Sequence, residues 1–142
     1  YFGLPTAPTT KSDVFVLMPF AEDLKPVYTD NISEVAKDIE LAVSRADDFF
    51  TAGSIMADIW NAICDTRVVI ACCTGRNPNV FYEIGLAHTV GKRVVLITQN
   101  KDDIPFDIRH LRSIDYEYTP RGMKDFEKRL AETLKMELGI WD

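Results

Sequence analysis

The chain has 142 residues, enough for one domain with a well-formed core and too few for two comfortable ones. Apolar residues make up 46% and charged residues 27%, which argues against extended disorder. A net charge of −6 and a pI near 4.9 argue against non-specific binding of nucleic acid or anionic lipid, which needs clustered Lys and Arg, and leave a small ligand or a protein partner as the better fit.

No apolar run approaches the roughly 20 residues that span a bilayer, and no basic-then-apolar leader opens the chain. Cys64, Cys72 and Cys73 sit in apolar runs without zinc-ligand spacing, and read as reduced thiols of a cytoplasmic protein. Residues 1–12, with Pro5, Pro8 and several hydroxyl residues, have the composition of a linker or tether, so the folded domain is expected over 13–142. Because the chain opens at Tyr1 rather than Met, it reads as a piece of a longer protein, joined through that linker to another domain.

In chain order, VFVLM (14–18) reads as a first strand, ended by Pro19, whose missing N–H cannot continue a ladder. Pro26 suits a first helical turn, and Val27, Ile32, Val35, Ala36 and Ile39 follow at roughly helical spacing. ELAVSR (40–45) is the expected second strand, its Glu40 and Arg45 placing it near an edge. Ser54 can cap a helix whose Ile55, Ile59 and Ile63 stripe is broadened by Met56 and Trp60 and bordered by Asp58.

RVVIACC (67–73) is a continuous apolar strand, as in the buried centre of a parallel sheet. The turn TGRNPN follows, with Asn79 the expected cap of a helix that runs to about Val90 and stops at Gly91. RVVLIT (93–98) is a fourth strand, SIDYEY (113–118) a fifth, and 120–138 a closing amphipathic helix. Strands alternating with helices predict a flavodoxin-like, doubly wound α/β fold: a five-stranded parallel sheet with helices on both faces. Ligands in such sheets lie beyond the carboxyl ends of the central strands, which points to the loops after Met18 and Cys73.

On the helix after that central strand, Glu83 has Val80, Leu86, Ala87 and Val90 as its helical neighbours. A carboxylate so placed loses hydration, and its pKa rises unless partners compensate, which is how a general acid or nucleophile is readied near neutral pH. The blander alternative is a carboxylate that serves the helix dipole or a loop N–H. Asp58 is either a surface residue beside the apolar stripe or a second carboxyl flanking the same crevice. Asn77 is equally suited to a turn and to a ligand contact. Gly75 suits a positive φ, and the N–H groups opening the Asn79 helix could receive an anion. Arg45, Asp47 and Arg109 are candidates for ribose or phosphate contacts. With only His88 and His110 and no acidic ligands paired with them, no metal site is expected.

Taken together, VLMPF, IMADIWNAI, NPNVFYEIGLAH and GKRVVLIT, in this order across about residues 14–116, resemble the nucleoside 2-deoxyribosyltransferase superfamily and its TIR-like relatives. The resemblance implies that Glu83, which matches the Glu of the transferases on the helix after the third strand, is the nucleophile attacking the anomeric carbon of a sugar; TIR domains that cleave NAD also use a Glu on the corresponding helix. It further implies that Asp58 holds or protonates the departing base, and that Pro19 and Phe20, in the loop after strand one, line the pocket. Two positions depart from the family pattern. Asn77 stands where the transferases typically carry an Asp for sugar hydroxyls, and ACCTG stands where many relatives read ADLTG. The Asn amide both donates and accepts, so a hydroxyl contact survives, and a ribonucleotide or NAD becomes as plausible a substrate as a free deoxynucleoside.

The reading that follows is cleavage, by hydrolysis or transfer, of the N-glycosidic bond of a nucleoside, nucleotide or NAD, which is substrate rather than cofactor, in a homo-oligomer that serves as an effector in bacterial defence. The alternative is a catalytically silent nucleotide-binding or TIR-like oligomerisation module.

Overall fold

In a computed structural model, which describes residues 3–4, 12–45 and 55–140, the chain builds one parallel sheet. Its strands are β1 (Val14–Leu17), β2 (Val43–Arg45), β3 (Val68–Cys72), β4 (Arg93–Thr98) and β5 (Ser113–Asp115), in the order β2-β1-β3-β4-β5. The chain reverses its direction of winding between β1 and β3, which is the switch point the alternation predicts.

Every residue of β1 and β3 is buried, so these strands tolerate only apolar side chains, whereas β2 at the edge is short and half-buried. The second strand begins at Val43, three residues later than expected. Glu40 has a φ of 58°, and Leu41 donates its N–H to the Ala36 carbonyl at 2.7 Å, so the preceding residues close a helix instead of opening a strand.

The period-2 alternation of the strands splits the core in two. Val14, Val16, Val68, Ile70 and Cys72 face one layer, built from α1 (Ser33–Asp38) and α4 (Pro120–Leu138). Phe15, Leu17, Val69, Ala71 and Cys73 face the other, built from α2 (Ile55–Asp65) and α3 (Pro78–Thr89). Adjacent Cys72 and Cys73 thus point into opposite layers, both fully buried, and burial pushes the Cys73 thiol up to about 12. Both are packing residues.

The segment entering α1 is a π-helical stretch, Val27–Ile32. Its wider turn puts Val27 and Ile32, five residues apart, into the core together, both fully buried. Helix α4 has the limits its sequence predicts. Thr119 accepts the Gly122 N–H at 3.0 Å, Pro120 opens the first turn, and Gly139, at a φ of 67°, ends the last. Met123, Phe126, Leu130 and Leu134 form its buried stripe, each worth about 1.5–3 kcal/mol against exposure. No helix among the described residues is long and apolar enough to cross a membrane. Ser54, the expected cap of α2, lies outside the described residues, as does nearly all of segment 1–12.

Candidate functional site

The loop from β3 into α3 sets the geometry of the carboxyl ends. Gly75 and Arg76 both take positive φ, 83° and 56°, and turn the chain sharply out of the sheet. Asn77 then caps α3, its side-chain oxygen accepting the Asn79 N–H at 2.9 Å, with Pro78 as the first helical residue. This corrects the expected cap by two residues. Proline is favoured as a first helical residue, which leaves Asn77 in the extended capping conformation and makes Asn79 the residue that is capped.

A cavity of about 300 Å³ opens between this helix start, the loop after β1 and α2. Its walls are mainly apolar, with Met18, Pro19 and Phe20 on one side, Met56 and Ile59 on another, and Asn77, Asn79 and Glu83 as its polar groups. Phe20 is 61% exposed at the rim, an unusual position for a large ring in a well-packed domain. Of the residues expected to form a site, Pro19, Phe20, Asn77, Asn79 and Glu83 are brought together here.

Glu83 is 8% exposed, one turn inside α3. Burial alone pushes its carboxyl from the ordinary 4.5 to about 7, and no described residue donates to it or pairs with it. A carboxyl in that state is divided between acid and carboxylate at neutral pH, so it can accept or release a proton, or attack an electrophile, inside an apolar, poorly hydrated wall.

Other expected residues lie elsewhere. Asp58 shares a shallow hollow with Asn61, Ala62 and Asp65, the i+3, i+4 and i+7 positions of its own helix, on a different stripe from Met56 and Ile59. Gly75 does not line the cavity, and its N–H is held at 2.8 Å by the Asp103 carboxylate. Arg45 is 4% exposed, its guanidinium 4.6 Å from the centre of the Tyr28 ring and 3.5 Å from the Met18 sulfur, so it backs a cavity residue without lining the cavity. Arg109 is held by the Ile104 carbonyl at 2.9 Å. Asp47 lies outside the described residues. Among the described residues no three His, Cys, Asp or Glu side chains gather as metal ligands.

Sequence reasoning missed Met18, Met56 and Ile59 as lining residues. They carry the periodicity of core positions, and only the crossing of α2 over the end of β1 leaves them facing a cavity. A larger hollow of about 670 Å³ lies at the amino ends of β3 and β4, but its cations are already engaged. Lys92 donates to the Cys64 and Thr66 carbonyls at 2.9 Å, Arg67 pairs with Asp13 and Arg93 with Glu137, so the hollow is a structural seam at the end of the sheet away from Glu83.

No protein-family model and no curated protein matches the sequence. Solved structures do match the fold. The TIR domain of a Toll-related receptor from Hydra magnipapillata superposes with a TM-score of 0.68 at 13% identity, over 88% of this chain and 99% of that one. A 2-deoxyribosyltransferase from Bacillus psychrosaccharolyticus gives 0.58 at 19% identity, over 87% and 96%. A TIR-STING receptor from C. gigas, solved in complex with 2',3'-cGAMP, gives 0.62 at 17% identity, over 89% of this chain and 42% of that one. The fold is shared with TIR domains and 2-deoxyribosyltransferases. At these identities the likeness is one of architecture, and a shared fold does not carry a shared function.

Proposed function

We propose that the Glu83 cavity cleaves the N-glycosidic bond of a nucleoside, nucleotide or NAD. The observation that carries this reading is a single buried carboxyl, unpartnered among the described residues and raised to about 7, in a cavity beyond the ends of the central strands. In its ionised form Glu83 attacks the anomeric carbon as the carbon–nitrogen bond breaks and the electron pair leaves with the base. Water, or the nitrogen of a second base, then takes the sugar and returns the carboxylate. Asn77 and Asn79 hold sugar hydroxyls through amides that donate and accept, and Phe20 covers the base.

The size of the cavity supports a nucleoside-sized occupant, since about 300 Å³ is at the lower end of small-molecule sites. The remainder of a dinucleotide would extend past Phe20. The domain works in a homo-oligomer. Incubation of the protein at high concentration with NAD and a panel of nucleosides and nucleotides, with products resolved by chromatography, tests the reading: free base should appear from at least one of them.

The position of Asp58 favours a second reading. With that carboxyl on another stripe of α2, the described cavity holds one carboxyl where leaving-group protonation would use two, which suits a module that binds a nucleotide without cleaving it. Saturable binding with no release of base from any compound is its signature.

A further inference from the structure

The β3–α3 loop, which leads into Asn77, Asn79 and the helix carrying Glu83, has one backbone bond of its own, from the Arg76 N–H to the Cys73 carbonyl at 3.1 Å, and is otherwise held from outside. Two successive positive φ angles, at Gly75 and then at Arg76, are unfavourable for the arginine and persist only where surrounding contacts enforce them. Among the described residues, every side-chain hydrogen bond at Gly75 and Arg76 joins them to the segment after β4. Thr74 Oγ1 accepts the Gln99 N–H at 2.9 Å. Asp103 accepts the Gly75 N–H on Oδ2 at 2.8 Å and Arg76 Nε on Oδ1 at 3.1 Å, and the same guanidinium donates to the Asp102 carbonyl at 3.0 Å. Asp103 is itself set by a short 3₁₀ turn, Lys101–Asp103, which Asn100 caps by accepting the Asp102 N–H at 3.0 Å.

One carboxylate therefore grips both positive-φ residues, the strained Arg76 among them, immediately before the residue that caps α3. We infer that Asp103 is a positioning residue for the Glu83 site: by clasping Gly75 and Arg76 it fixes the turn from which Asn77 caps α3, and so sets Asn77 and Asn79 against a substrate sugar. It lines a separate hollow with Arg76 and Arg109 and does not face the cavity, so it acts through the loop alone. This role rests on the glycosidic reading above. A clasp that only stabilised the fold would raise the melting temperature without changing the site.

The test uses Asp103→Ala and Asp103→Asn in the whole chain, with three readouts. For Asp103→Ala, kcat/KM for base release should fall about 100-fold, the scale of an ångström-sized misplacement, while the folded fraction at the assay temperature stays complete. Asp103→Asn should fall less, because its oxygen still accepts the Gly75 N–H while the charge facing Arg76 is gone. Amide hydrogen exchange should accelerate at least ~10-fold at Gly75 and Asn79 in Asp103→Ala and stay unchanged at Ala87 and His88. A kcat/KM within twofold of wild type overturns the inference, as does exchange that rises uniformly along α3 together with a lowered melting temperature. If wild-type protein releases no base from any compound, the glycosidic reading has failed, and exchange alone then judges the clasp: local acceleration supports it and unchanged Gly75 and Asn79 amides overturn it.

Discussion

The Asn77 side chain accepts the Asn79 N–H at 2.9 Å, and Glu83 stands one turn further along the helix that this bond begins. A residue that the resemblance marks as a sugar contact is thus also the structural start of the element carrying the proposed nucleophile. Removing the cap with Asn77→Ala should cost about 1 kcal/mol of stability, whereas Asn77→Asp, an equally good cap at a positive helix end, should stay within about 0.5 kcal/mol of wild type. Urea denaturation of the three proteins measures this. An Asp variant as unstable as the Ala variant would contradict the capping role.

The raised pKa of Glu83 makes stability depend on pH in a definite direction. The folded state holds a proton up to about 7 that the unfolded chain releases near 4.5, so wild-type stability contributed by this group is full below 4.5 and is lost as pH rises to 7. Glu83→Gln cannot ionise. Its stability relative to wild type should therefore increase between pH 4.5 and 7 by up to about 3 kcal/mol, and stay level above that. Denaturant midpoints of both proteins at pH 4.5, 6 and 8 test this, and a difference independent of pH would mean that Glu83 is not desolvated.

Gly122 is irreplaceable for a local reason. A Cβ there would collide with the Glu117 carbonyl and approach Thr119 Oγ1, the atom that caps α4. Backbone cannot yield as a side-chain tip does, so Gly122→Ala should destabilise the protein by about 1–3 kcal/mol, although alanine is ordinarily the better helix former. A melting temperature equal to or above wild type would contradict this packing.

Much of the frame is legible in the residues because burial writes it there. VVIACC (68–73) admits no position for water, which marks β3 as central, and Thr119, Pro120 and Gly139 bracket α4 by their capping and backbone preferences. Glu83 is legible for the same reason, as a charge among apolar helical neighbours. What tertiary contacts decide is not. The π-helical stretch at Val27–Ile32 uses residues that fit an α-helix equally well, and the face on which Asp58 falls depends on how α2 is rotated over the sheet. Asn77 and Asn79 are both good caps, and the proline between them settles the choice by favouring the first helical position. The Asp103 clasp joins segments 28 residues apart and carries no local signal at all.

The role of Glu83 is decided by comparing wild type with Glu83→Gln for base release, at matched folded concentration, using whichever of NAD, nucleosides or nucleotides the wild type cleaves. With Glu83 as the attacking group, release falls at least roughly 1,000-fold in the variant while the ligand still binds, because size and shape are kept and the attacking oxygen is lost. Release that continues at the wild-type rate in Glu83→Gln would contradict it.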